Sequence, residues 1–158
     1  MPSKYLAMEK DKINFFIVDD DPFSACIFRQ YLIFEGYRKI KVFDNGNDCL
    51  DNLCEEPDVI ILDHYMSPLN GLEVLQKVKE KKPGIYVIYI SAGAEEAVKA
   101  HSLKHGAFCY IIKGENEYGT MIQELKKIEM AIKLMKNNTF STHCGPNVTY
   151  DRNVFSLS

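Results

Sequence analysis

The sequence predicts an α/β fold in which a doubly wound, five-stranded parallel sheet carries helices on both faces. Short apolar runs rich in β-branched residues alternate with amphipathic stretches of helical length along most of the 158 residues. Continuous apolar runs are typical of strands that are buried on both faces. Five strand–helix repeats with short connections favour a parallel sheet, and right-handed crossovers are expected between its strands.

The predicted elements alternate in order along the chain. Strands are predicted at 13–18, 39–43, 58–62, 85–90 and 107–112, and helices at about 22–35, 46–54, 69–81, 95–105 and 116–136. Asp21-Pro22 has the pattern of an N-cap followed by proline in the first helical turn, and Gly36 and Gly106 stand where a helix is expected to end. The last helix carries one apolar stripe, formed by Met121, Ile122, Leu125, Ile128, Ile132 and Met135.

One domain accounts for residues 13–136, which are enough to form a full core. Residues 1–12 are interpreted as an N-terminal extension, and residues 137–158 as a C-terminal tail without a domain of its own. The net charge of −3 does not favour nucleic acid or an anionic membrane as a partner. The chain shows neither a signal peptide nor a membrane-spanning run, so a cytoplasmic protein is expected. Five scattered cysteines without a Cys-x-x-Cys pair indicate reduced thiols.

Charged and hydroxyl side chains stand where the predicted strands end. Asp19 and Asp20 follow the first strand, Asp63 the third, Ser91 the fourth and Lys113 the fifth. Because parallel strands end at one edge of the sheet, these side chains are expected to face one crevice. Oxygen-only clusters select a hard divalent cation, which predicts Mg²⁺. Carboxylates with a lysine also suit phosphoryl transfer, in which a carboxylate can be the nucleophile.

The chain resembles the receiver domain of bacterial two-component response regulators. The resemblance rests on five motifs in order, namely Ile17-Val18-Asp19-Asp20-Asp21, Ile61-Leu62-Asp63-His64-Tyr65-Met66, Gly71, Ile90-Ser91-Ala92, and Gly106-Ala107 with Tyr110 and Lys113. The resemblance covers about residues 13–136, which is nearly all of the predicted core. The resemblance implies a flavodoxin-like sheet of strand order 2-1-3-4-5.

The resemblance also implies a role for each site residue. Asp63 would accept a phosphoryl group from a histidine kinase or a phosphotransfer protein, so the protein would not be an enzyme beyond its own phosphorylation and dephosphorylation. The Mg²⁺ ligands would be Asp19, Asp20, Asp63 and the backbone carbonyl of Tyr65. The phosphoryl-binding and switch residues would be Ser91, Ala92, Tyr110 and Lys113. Output is expected through a protein partner or a phosphorylation-dependent homodimer, from a single-domain regulator.

Two positions depart from the family pattern. Ser67 separates Met66 from Pro68, where the family usually has proline directly after the methionine. Gly114 follows Lys113, where the family usually has proline. Because glycine is permissive and proline is rigid, the loop that carries Lys113 is expected to be more mobile.

Two other functions remain as alternatives. Asp19-x-Asp21 after an apolar strand also resembles the opening of haloacid-dehalogenase-type phosphatases, with Asp19 as nucleophile, although Phe23 stands where Thr or Val is expected. A pseudo-receiver, which would bind a partner without phosphoryl chemistry, is the other alternative. The intact acidic set argues against it.

Overall fold

The structure is a computed structural model and describes residues 10–141, with side chains described for residues 10–136. Most of the N-terminal extension and the tail from residue 142 lie outside the described residues. The described elements are β1 (Asn14–Val18), α1 (Pro22–Phe34), β2 (Lys39–Phe43), α2 (Gly46–Asp51), a 3₁₀ helix (Leu53–Glu55), β3 (Val59–Asp63), α3 (Gly71–Lys81), β4 (Tyr86–Ser91), α4 (Glu96–Lys104), β5 (Cys109–Ile112) and α5 (Glu117–Ser141).

The five strands form one parallel sheet in the order β2-β1-β3-β4-β5, which confirms the predicted fold class. Val18 pairs with Leu62 and Asp63 pairs with Ile90, so the strands end nearly level at their carboxyl ends. The chain order reverses on either side of β1, and such a switch point is where an open α/β sheet forms its ligand crevice.

The core lies between the sheet and its helices. On one face, strand residues such as Phe16, Leu62 and Tyr89 share a buried apolar cluster with Leu50 of α2 and Leu75 of α3. Each of these side chains is at most 8% exposed. Burial on this scale stabilises the fold by about 1.5–3 kcal/mol for each large apolar side chain. The strands that carry the polar residues are therefore fixed by packing against the helices.

The helix caps match the sequence signals in most places. The Asp21 side chain accepts a hydrogen bond from Phe23 N at 3.0 Å, with Pro22 in the first turn of α1. Gly36 and Gly106 have φ of +98° and +96°, a conformation that glycine adopts without a steric penalty. Asn70 forms a capping box at the start of α3, although that helix was expected to begin slightly earlier.

Two helices differ from the prediction. The helix expected at 46–54 ends at Asp51 and continues only as the 3₁₀ helix. At this point the Asn52 side chain donates 2.7 Å to Asp48 O, which also accepts from the backbone N–H of Asn52. The last helix continues to Ser141, into the segment interpreted as a tail, since neither proline nor glycine occurs between Thr120 and Ser141.

The chain divides into two compact units, of which the first ends at Glu124 and the second begins at Leu125. The first unit contains the sheet, α1 to α4 and the first turns of α5. In the second unit, Leu125, Ile128 and Ile132 are buried, while Met130 and Leu134 are exposed. Among the described residues, no helix has the length and apolar character that crossing a bilayer requires.

Candidate functional site

Three carboxylates meet at the carboxyl edge of the sheet. Oxygens of Asp19, Asp20 and Asp63 all lie within 4.8 Å of one another. Asp19 and Asp63 are 3% and 5% exposed, whereas Asp20 is exposed. Three ionised carboxylates so close together repel one another, and nearby positive charge is needed to offset that repulsion. An all-oxygen donor set of this kind fits a hard divalent cation such as Mg²⁺.

Lys113 supplies positive charge from the opposite side of the crevice. Its Nζ lies 2.8 Å from Asp63 Oδ1 and 3.0 Å from Asp19 Oδ2. Burial alone would lower the pKa of Lys113, but the hydrogen bonds to the two carboxylates outweigh it and raise the pKa above its usual value. The ammonium is therefore fully charged at neutral pH.

Asp63 has a pKa above its usual range. Burial is the largest cause; the hydrogen bond from Lys113 opposes it, and the charges of Asp19 and Asp20 add to the rise. Ionised Asp63 is thus held in a site that does not fully compensate its charge. A cation, or chemistry that neutralises the carboxylate, relieves this cost.

Asp21 does not join the cluster of three carboxylates. Its side chain caps α1, and its backbone N–H donates 2.9 Å to Asp19 Oδ1. The Asp21 backbone therefore orients the Asp19 carboxylate, while the Asp21 side chain serves the helix. The N-cap role expected for Asp21 from the sequence is confirmed.

The predicted switch residues lie on β4 and β5. Ser91 is 1% exposed, and its Oγ accepts a hydrogen bond from Gly93 N at 3.3 Å. Ala92 is exposed directly after it. The half-buried Tyr110 donates from its hydroxyl to Gly93 O at 2.6 Å. Ser91 and Tyr110 thus contact the same residue, Gly93, from two directions.

The loop after β3 packs tightly against α3. Gly71 N donates 2.9 Å to His64 O, and a Cβ at Gly71 would lie 2.3 Å from Asp63 O. Only glycine fits there without displacing Asp63. The Ser67–Pro68 peptide bond is cis. Tyr65 is half exposed, and its backbone carbonyl remains the predicted fourth metal ligand.

Three further contacts at the site were not predicted from the sequence. Tyr89 OH lies 2.6 Å from His64 Nδ1, and the Tyr65 hydroxyl donates to Glu95. Gly114 N donates 2.9 Å to Glu117 Oε2. The sequence signal for the first was a tyrosine in a fully buried strand, because a buried hydroxyl needs a partner. The other two depend on loop geometry.

The match to a family model identifies the class of protein. The model of the response regulator receiver domain matches residues 15–126. The chain belongs to this family, whose members are signalling modules of two-component systems rather than classical enzymes. Both the fold and the grouping of acidic residues with Lys113 agree with that assignment.

Curated relatives share part of their length with this chain. The transcriptional regulatory protein MalR of Bacillus subtilis is 36% identical over 103 residues, which are 64% of this chain and 44% of MalR. The regulatory protein LuxO of Vibrio cholerae is 30% identical over 98 residues, which are 61% of this chain and 21% of LuxO. The chain therefore spans less than half the length of these relatives.

Solved structures show the same fold. A CheY-like receiver domain protein of Methanospirillum hungatei has a TM-score of 0.67 and 26% identity, covering 77% of this chain and 97% of that one. CheY of Borrelia burgdorferi, solved in a complex with CheX, BeF₃ and Mg²⁺, has a TM-score of 0.68 and 26% identity, covering 73% and 88%. The similarity extends over most of the length of the two solved chains and about three quarters of this chain.

Proposed function

We propose that the chain is a Mg²⁺-dependent phosphoacceptor of a two-component phosphorelay, with Asp63 as the residue that is modified. The observation that carries the proposal is the joint approach of Lys113 to Asp63 and Asp19 within a cluster of three carboxylates. A structural ion pair needs one acid for one lysine. Three acids around one lysine leave room for a cation and for a transferable anion.

Mg²⁺ fits the donor set, and Asp19, Asp20, Asp63 and the Tyr65 backbone carbonyl would hold it. When bound, the cation neutralises charge on the phosphoryl oxygens. The Borrelia burgdorferi CheY structure contains Mg²⁺ with BeF₃, which mimics a phosphoryl group bound to a carboxylate, and this supports the same pairing here.

The chemistry of transfer assigns one role to each remaining residue. A carboxylate oxygen of Asp63 attacks the phosphorus of a phosphoimidazole on the histidine kinase or phosphotransfer protein. The new P–O bond forms as the P–N bond breaks, and the bonding electrons return to the imidazole nitrogen. Lys113 stabilises the negative charge on the phosphoryl oxygens, and Ser91 donates a hydrogen bond to one of them.

The proposed output is a change at β4 and β5. Phosphorylation adds about −1.5 to −2 charge and three acceptor oxygens. Ser91 would move toward these oxygens, releasing Gly93, and Tyr110 would lose its present acceptor and turn inward. Shifting the ratio of active to inactive conformation from 1:99 to 99:1 requires that the phosphoryl group favour the active conformation by about 5.5 kcal/mol. A few charge-assisted hydrogen bonds to the phosphoryl oxygens can supply this energy. The changed surface would bind an output protein or a second copy of the chain.

The phosphatase alternative needs Asp21 as an acid at the site. Its side chain instead accepts from Phe23 N at the start of α1. This geometry, together with the family match, favours the receiver. The pseudo-receiver differs only in lacking phosphoryl chemistry, so experiment decides between the two. The single-domain type and the cytoplasmic location expected from the sequence stay predictions.

The experiment is incubation with Mg²⁺ and acetyl phosphate, followed by mass spectrometry under conditions that preserve acyl phosphates. We expect one phosphoryl group on Asp63, none in Asp63→Asn and none with a chelator. Modification of Asp19 with turnover would support the phosphatase. The absence of both modification and Mg²⁺ binding would support the pseudo-receiver.

A further inference from the structure

Lys113 begins a loop in which glycine, and not the proline usual in the family, occupies position 114. Gly114 follows it with φ of +85°, a conformation outside the reach of proline, and a Cβ at Gly114 would meet nothing within 4 Å. The glycine is therefore required by its backbone angle and not by crowding. Beside this loop, a cleft of about 220 Å³ lies between the start of α1 and the side chains of Lys113 and Glu117. Packing alone does not enclose Lys113 on that side.

A carboxylate fastens the loop instead. Gly114 N donates 2.9 Å to Glu117 Oε2, and Glu117 is the first residue of α5. Proline has no N–H, so this bond can exist only because another residue stands at position 114. A carboxylate in the first turn of a helix is also favoured by the helix dipole.

Glu117 is itself held from α1. Tyr31 OH donates 3.3 Å to Glu117 Oε1, so the two carboxylate oxygens face two different donors. The Tyr31 ring packs edge-on against Phe28, with ring centroids 5.9 Å apart, and in a tilted arrangement against Tyr118, with ring centroids 4.7 Å apart. Burial, followed by the nearby charge of Glu117, raises the pKa of Tyr31, which keeps the phenol protonated as a donor.

We infer that Glu117, fixed by Tyr31, is a positioning residue that holds Lys113 against Asp63. It replaces with two hydrogen bonds the rigidity that proline gives to this loop in other receivers. The chain of contacts runs from Tyr31 to Glu117, to Gly114 N, and through one backbone step to Lys113, whose Nζ lies 2.8 Å from Asp63. The consequence for phosphorylation rests on the proposed function of Asp63, whereas the positioning of Lys113 does not.

The first test measures the Lys113 amine without metal or phosphodonor. Limited acylation with an amine-reactive ester, mapped by mass spectrometry, reports how often Nζ leaves its two carboxylates. We expect Glu117→Ala to raise the labelling rate of Lys113 roughly tenfold, the scale of one charge-assisted hydrogen bond, and Tyr31→Phe to raise it less. Glu117→Gln keeps a carbonyl oxygen for Gly114 N and should restore a rate near that of the wild type.

The matched control is Glu115→Ala, in the same loop. Glu115 is exposed, and no hydrogen bond or ion pair involves its side chain among the described residues. This variant removes the same charge and should leave the labelling of Lys113 unchanged. Equal labelling in Glu115→Ala and Glu117→Ala would overturn the inference, because the effect would then be one of net charge.

The second test uses phosphorylation by acetyl phosphate. Glu117→Ala should slow modification of Asp63 roughly tenfold, yet have no added effect in a Lys113→Ala background, because Glu117 acts through Lys113. An equal loss in both backgrounds overturns the inference. If the wild-type chain is not phosphorylated, the proposed function fails, and the labelling of Lys113 still decides the role of Glu117.

Discussion

The hydroxyl of Tyr89 lies 2.6 Å from Nδ1 of His64, the residue that follows Asp63. Tyr89 is fully buried, and burial is the main cause that raises the pKa of its phenol. The phenol therefore stays protonated, and its hydroxyl forms a hydrogen bond with Nδ1 of the imidazole. A part-buried hydrogen bond thus connects β4 to the loop that follows Asp63.

We expect Tyr89→Phe to lower the free energy of unfolding by about 1 kcal/mol, because it leaves the half-buried His64 Nδ1 without its hydrogen-bond partner. Urea unfolding measures the loss. The control is Tyr86→Phe, in the same strand: the Tyr86 ring packs against Phe108, and its hydroxyl makes no hydrogen bond among the described residues. Equal losses in the two variants would show that the hydroxyl of Tyr89 contributes nothing through His64.

The ionised form of Asp63 is expected to destabilise the metal-free protein. Its pKa is raised in the folded chain, mainly by burial, so the folded state binds the proton more tightly than the unfolded state does. Stability is then greatest below the ordinary pKa of an aspartate and falls as the pH rises through the folded-state pKa. At neutral pH the full cost is present.

Asp63→Asn should therefore raise the melting temperature at neutral pH by a few degrees, which is about 1 kcal/mol for a domain of this size. The gain should shrink as the pH falls below the folded-state pKa, since wild-type Asp63 is then neutral as well. Calorimetry in chelator-treated buffer across the acidic range measures both effects. Asp51→Asn removes an exposed carboxylate of α2 and should change little. A lower melting temperature for Asp63→Asn at neutral pH would mean that the ion pair with Lys113 outweighs burial.

The fold and the chemical groups of the site could be predicted from the sequence because both depend on strand ends. Apolar runs fix where a strand lies, and parallel topology then brings the residues after each run to one edge. Asp19, Asp63 and Lys113 follow from that rule alone, and the structure places all three in contact.

The contacts between loops could not be predicted in this way. The bond from Gly114 N to Glu117 depends on a positive φ and on where α5 begins, neither of which periodicity specifies. The glycine at position 114 predicts a more mobile loop. The structure shows that the backbone N–H of Gly114, which a proline would lack, donates a hydrogen bond to Glu117. The end of α2 was missed for a related reason, since a local side-chain bond from Asn52 to Asp48 O accompanies it and periodicity does not specify such bonds.

Cys49 is expected to be inert in the folded protein. It is fully buried in the apolar cluster, and burial raises the pKa of its thiol to about 12. Since the thiolate is the reactive form, raising the pH from about 7 to 9 should not start its alkylation, whereas the exposed Cys26 and Cys54 should react. Iodoacetamide labelling mapped by mass spectrometry measures each site, with urea-unfolded chain as the control. Native labelling of Cys49 at the rate of Cys54 would contradict the prediction.

The lifetime of the phosphorylated state is expected to depend on Tyr65. Its half-exposed side chain stands two residues after Asp63, and its hydroxyl donates to Glu95 in the loop between β4 and α4. We expect this contact to shield an acyl phosphate on Asp63 from water, so Tyr65→Ser should speed hydrolysis roughly fivefold, the scale of one lost hydrogen bond. Tyr65→Phe keeps the ring and removes only the bond to Glu95, so its rate separates shielding by the ring from the closed contact. The decay of phosphorylated Asp63 after removal of acetyl phosphate gives these rates, and an unchanged decay in Tyr65→Ser would exclude any role for this side chain in the lifetime.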